Sequence, residues 1–291
     1  MRTSGLLTAL CIFVCGCGGE LDPVEYRADE QKSAAAVVDT AAPRPPSQEE
    51  MLREELGLGA AGAFESWQGK VTAADLGKTD VADLSPLAGT GVRTLDIHAT
   101  PVTDLSPLSG LPLEALFAEQ TRVTDLSPLS GLPLRQLYLT ETPVADISAL
   151  AGMRLKELNL VDTPVADIGP LATADMGSLW LRRTKVTDLS PLEGRTITSL
   201  DVGETAVADL TPLAGMRTLR RLHIAETEVT DLTPIAGLPL ERLVFTPSKI
   251  TKGLDAVRES ETIRSLGVRF EVESDVMPAK EFWSKFDAGR L

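Results

Sequence analysis

Cysteine is nearly absent from this chain, and the three present, Cys11, Cys15 and Cys17, all stand close to its start. An exported chain with no later cysteine forms no internal disulfide, so its stability has to come from packing. Histidine is rarer still, with only His98 and His223. Neither has a cysteine partner, and no H-E-x-x-H, phosphate-binding loop or dinucleotide fingerprint is present, so hydrolase, metalloprotease and nucleotide chemistry lack their usual parts. Basic residues are in deficit: 28 Lys and Arg stand against 42 Asp and Glu, a net charge of −14. Such a surface repels phosphates and argues against a nucleic-acid partner. The apolar run at the start, Leu6 to Val14, is too short to span a bilayer. Aromatic residues make up 4% of the chain, so wherever several of them gather, the gathering asks for a reason.

What is present is repetition. "TDLSPLSGLP" occurs at Thr103–Pro112 and again at Thr124–Pro133. Threonine recurs at Thr79, Thr100, Thr121, Thr142, Thr163, Thr184, Thr205 and Thr227, in steps of 21 residues with a single step of 22. Aspartate follows each threonine, at Asp83, Asp104, Asp125, Asp146, Asp167, Asp188, Asp209 and Asp231. Proline stands three residues beyond each aspartate, broken only at Ala149. A fixed period of this length is the mark of a repeat architecture. Before each threonine the chain reads L-x-x-L-x-L, as in "LRQLYLTET" (Leu134–Thr142), and its alternation predicts one short strand with a buried face per repeat. After it, Val102, Leu105 and Leu108 are spaced by threes, which suits a tight turn and a 3₁₀ or short helical segment. Ser106 is expected to cap that segment, with Pro107 at its first position and Gly110 ending it. No single unit buries its own apolar edge, so the prediction is an α/β solenoid of about eight to nine coils of 21–22 residues. Its parallel sheet lies on the concave side and its turns and 3₁₀ segments on the convex side.

This pattern resembles the leucine-rich repeat (LRR) family, and within it the short repeats of internalin-like proteins. The family consensus L-x-x-L-x-L-x-x-N/C-x-L is matched over roughly residues 71–270 with threonine in place of the usual asparagine. The threonine hydroxyl is expected to donate to a backbone carbonyl of the next coil and to accept an N–H. The closing "MPAKEFWSKFDAGRL" is similar to the ends of LRR proteins from planctomycete-type bacteria, some of which accompany a serine/threonine kinase domain. The kinase glycine loop, H-R-D and D-F-G segments are absent from this chain.

Composition divides the rest. Residues 1–16 read as a secretory signal peptide, and Val14-Cys15-Gly16-Cys17 resembles a bacterial lipoprotein box with Cys17 as the lipidated residue. Residues 17–46 have the composition of a disordered tether. Residues 47–70 are expected to form an N-terminal helical cap, opened by a capping box from Ser47 to Glu50. Residues 271–291 are expected to form a C-terminal cap with a short helix, Phe282, Trp283 and Phe286 packing on the last coil.

The aspartate column could bring oxygen ligands together for Ca²⁺, but a turn aspartate before a Ser/Thr-Pro start has its own use in accepting backbone N–H bonds, and that is the reading taken here. His98 and His223 are read as solvent-facing strand residues. The face between the buried leucines carries Asp96, Phe117, Tyr138, Asn159, Trp180, Asp201, His223 and Val244, one per coil. Three aromatics thus fall within four adjacent strands, ringed by Glu119, Gln120, Glu141, Asp162, Arg182 and Arg183. An aromatic centre with a charged rim is how interfaces are often built. The candidate binding residues are Phe117, Tyr138, Asn159, Trp180, Arg182 and Arg183. The resulting expectation is a non-enzymatic interaction module anchored at the bacterial envelope, outer membrane or periplasmic face, and binding a protein or glycan. It has no cofactor, no metal and no small-molecule substrate. Two alternatives stay open at this point: a structural envelope spacer without a defined ligand, and an accessory sensor of a signalling enzyme.

Overall fold

Each L-x-L pair spans the end of a short strand, the first leucine in it and the second just past it, and both apolar side chains point into the core while the residue between them points away. The computed structural model describes residues 44–269 and 276–291. The signal peptide, Cys17 and the tether up to residue 43 lie outside the described residues. Within Pro45–Leu291, one compact unit, the chain runs α1 (Gln48–Glu55), β1 (Ala63–Trp67), β2 (Lys70–Asp75), β3 (Thr94–Asp96), β4 (Ala115–Phe117), β5 (Gln136–Tyr138) and β6 (Arg154–Asn159). It continues through β7 (Asp175–Trp180), β8 (Ser199–Asp201), β9 (Arg221–His223), β10 (Arg242–Val244), α2 (Leu254–Arg258), β11 (Ser265–Gly267), β12 (Val276–Pro278) and α3 (Ala279–Asp287). These strands form one 12-stranded sheet in sequence order. β2 to β11 pair in parallel, and β1 and β12 close the two ends antiparallel.

Register advances by one repeat per strand, so Leu116, Leu137, Leu158 and Leu179 pair in a row, and all four are fully buried. The single 22-residue step falls before β9. Leu200 still pairs with Leu222, because the extra residue is taken up in a turn at Arg217–Thr218, where the Thr218 hydroxyl donates to the Ile197 carbonyl at 2.9 Å.

The threonine column stabilises its own coil rather than the next one. Each hydroxyl donates to the carbonyl three residues back, from Thr79 to Leu76 through Thr227 to Ile224, at 2.6–2.8 Å. The carbonyl of the residue just past the strand thereby gains a partner at the point where the chain turns out of the sheet. The 3₁₀ segments form as expected, for example Ser106–Leu108, but the capping group differs from the one expected. Ser106 is the first residue of the segment and Leu105 precedes it without a side-chain cap. The cap is the aspartate, whose Oδ1 accepts the N–H two residues on, at 2.7–2.8 Å in all eight coils from Asp83 to Asp231.

At the N-terminal end the capping box closes, with the Ser47 N–H donating to Glu50 Oε2 at 2.7 Å and the Glu50 N–H to Ser47 Oγ at 3.2 Å. The residues after α1 are not helical: "GAFESWQG" supplies β1 of a hairpin with β2. Gln68 and Gly69 both adopt positive φ at its tip, 52° and 76°, the twist-matched geometry for a two-residue hairpin turn. At the other end Phe282 is fully buried and stands 5.7 Å from Phe245, ring to ring. Trp283 packs edge-on against both Phe282 and Phe286, and Arg258 covers it from 5.0 Å.

Candidate binding face

Sheet register places Asp96, Phe117, Tyr138, Asn159, Trp180, Asp201, His223 and Val244 side by side across eight strands. The row is not uniform. Asp96 and Asp201 curl back on their own chain, each accepting an N–H two residues on at 2.9 Å. Asn159 does the same with Val161 at 3.0 Å, and its oxygen also accepts the Thr140 hydroxyl. Phe117, Tyr138 and Trp180 have no such option and stand half-buried on the face. They touch one another: Phe117 and Tyr138 meet edge to face at 5.2 Å, and Tyr138 reaches over the strand of Asn159 to Trp180 at 6.2 Å. Such pairs add stability beyond the area they bury, about 0.5–1.5 kcal/mol each.

Two carboxylates frame these rings. Glu157 accepts hydrogen bonds from the Tyr138 hydroxyl and from Gln136 Nε2. Burial first, and then this carboxylate, hold the Tyr138 hydroxyl far above the ordinary tyrosine range, so it stays a donor. Glu119 stands two residues beyond Phe117. Burial pushes its carboxyl above the usual glutamate range, and the negative charge of Asp96 adds to the push. Its Oε2 is sealed from solvent and accepts no hydrogen bond among the described residues.

The six candidate residues therefore separate. Phe117, Tyr138 and Trp180 form a continuous aromatic row, and half-buried Arg182 follows on the same face two residues after Trp180. Arg183 lies in the turn at φ 57°. It grips Asp162 of the preceding coil with two bonds at 2.5 and 2.6 Å and Glu204 of the following coil at 3.0 Å. These contacts hold Asp162 below the usual carboxylate range and raise Arg183. Arg183 and the oxygen of Asn159 are thus committed within the molecule.

The histidines correct the sequence expectation. His223 is 7% exposed, with Nδ1 3.0 Å from Asp201 Oδ1, and His98, just past β3, sits half-buried with Nδ1 2.7 Å from Asp96 Oδ1. Each imidazole lies over a glycine of the preceding coil. A Cβ at Gly77 would come within 2.2 Å of the His98 ring, and one at Gly203 within 2.9 Å of the His223 ring. The signal in the sequence was the pair of glycines in that column. From β8 onward the row itself is buried, with Asp201 at 9% and Val244 at 2% exposure. A cleft of about 500 Å³ opens there between His223, Ala225 and Thr246 on one side and Phe286, Gly289 and Leu291 on the other. Sequence reasoning did not single out Glu157, or the Arg221 and Arg242 that border Trp180 and His223; all three lie in the face column one pleat before the aromatic row. Among the described residues no group of three potential ligands stands close enough to hold a metal ion, and no helix is long and apolar enough to cross a membrane.

No family model and no curated protein matches the chain. Solved structures do. An internalin (inlF) from Listeria monocytogenes is similar at 25% identity with a TM-score of 0.53, over 74% of this chain and 72% of that one. Internalin C2 (inlC2) from the same species is similar at 26% identity with a TM-score of 0.52, over 67% of this chain and 80% of the other. With its repeat register, its 3₁₀ turns and these likenesses together, this chain is a leucine-rich repeat solenoid with internalin-like repeats.

Proposed function

We propose that the protein is a non-catalytic interaction module held at the bacterial envelope, and that it binds a partner on the open sheet face between β4 and β7. The observation that carries this reading is the row Phe117–Tyr138–Trp180. It is built on positions outside the leucine core, where packing does not require aromatic side chains, and interface energy concentrates in such anchors. Arg182 extends the row as a charged neighbour. Arg183 and Asn159 serve the face indirectly, by fixing the turn and the strand beside it. Val14-Cys15-Gly16-Cys17 supports a lipid anchor at Cys17, and the internalin likeness supports a binding rather than a catalytic role.

Two experiments test it. Pull-down with the tagged protein from native envelope should recover a saturable partner, and the Tyr138→Ala/Trp180→Ala double variant should lose it while keeping its circular dichroism spectrum. Binding by the double variant at wild-type strength would remove the face from consideration. Wild type should fractionate with membranes and Cys17→Ser should be released; equal partition of the two would end the lipid assignment.

A further inference from the structure

The chemistry of the face narrows the class of partner. At the Phe117–Tyr138 end of the aromatic row the charge is negative: Glu119 and Asp96 stand beside Phe117, and Glu157 holds the Tyr138 hydroxyl, whereas Arg221 and Arg242 border Trp180 at the other end. Arg182 lies three coils from Glu119, roughly 14 Å at the spacing of parallel strands. His98 is taken up by Asp96. Glu119 is half-buried on this face, and one of its carboxylate oxygens has no donor among the described residues. A carboxylate in that position gains most from a charged donor, and aromatic rings next to it attract a cation through their π faces.

We propose that the segment seated on this face is a basic stretch of polypeptide, with a lysine or arginine side chain lying against Phe117 and Tyr138 and its charged end on Glu119. This rests on the reading of the face as the binding surface. The cation answers both features at once, whereas a neutral glycan stacking on the rings leaves the Glu119 carboxylate without a charged donor. The overall charge of −14 adds steering toward the same kind of partner.

The test is a titration of the full chain with a short peptide of alternating lysine and glycine, its arginine counterpart, its acetyl-lysine counterpart and a neutral oligosaccharide. The basic peptides should bind saturably at physiological salt, and the acetylated peptide and the oligosaccharide should not. Glu119→Gln should weaken the basic peptides at least about tenfold, and Glu119→Lys should abolish their binding. Glu193→Gln, on an exposed turn away from the face, should leave it unchanged. Melting curves serve to show that each variant is folded. No binding of either basic peptide, equal binding of the acetylated one, or equal losses from Glu119→Gln and Glu193→Gln would each overturn the inference. If the oligosaccharide binds and Tyr138→Ala/Trp180→Ala removes it, the cationic partner is wrong and the face is right. If the basic peptides bind as tightly to that double variant as to wild type, both fall.

Discussion

The turn edge and the sheet face of this solenoid are made from the same coils and obey opposite rules. Along the turn edge every coil carries the same aspartate, and every one accepts the same N–H bond at nearly the same length. Along the face the side chain changes from coil to coil: carboxylate, ring, carboxamide, imidazole or valine. Repetition at a position marks a need that each coil has by itself, to turn and to satisfy its backbone. Variation on an identical scaffold marks positions the fold leaves free, and those are available for recognition.

The sharpest way to break this comparison is through the core that both edges share. Leu158→Ala, at a fully buried position, should open a cavity mid-array and cost about 2–5 kcal/mol, read as a large drop in melting temperature. Second in size is the face: the Tyr138→Ala/Trp180→Ala double variant should weaken partner binding by about 2 kcal/mol, roughly thirtyfold. Its melting temperature should move far less than that of Leu158→Ala. A loss of fold as large as that of Leu158→Ala would make the rings structural and erase the distinction drawn above.

The turn edge is tested by acid. Hydrogen bonds from the following Ser or Thr hold Asp83, Asp104, Asp146, Asp188, Asp209 and Asp231 below their ordinary value of 3.8. A carboxyl whose folded pKa is depressed contributes stability that is complete above the unfolded value and is lost as pH falls through the folded one. Melting temperature should therefore fall as the pH drops below the ordinary aspartate value of 3.8. A variant with Asp104, Asp188 and Asp209 changed to Asn should show a shallower fall, since the amide oxygen still accepts the N–H but does not titrate. Added Ca²⁺ should leave the melting temperature of wild type where it is. The smallest effect is expected from Arg183→Ala. Its ion pairs with Asp162 and Glu204 are partly exposed, so screening holds the loss to about 1 kcal/mol or less, and high salt should diminish it further.

Much of this was legible without coordinates. Leu116, Leu137, Leu158 and Leu179 declare a buried column by spacing alone, and the 21-residue step dictates a parallel stack. Phe117, Tyr138 and Trp180 could be placed on one face because side chains alternate along a strand whatever the rest of the molecule does. The errors arose where partners come from another coil or from the end of the chain. The seating of His98 over Gly77 and of His223 over Gly203, and the capture of Arg183 by Asp162 and Glu204, depend on distances that no local pattern encodes.

By itself, then, the sequence determined the period, the strand and the buried columns, because each follows from short-range chain geometry repeated coil after coil. Only the tertiary structure decided which part of the face is open. The row stays accessible from Phe117 to Trp180 and is buried from Asp201 to Val244, a difference set by what packs across the coils rather than by anything in the repeat.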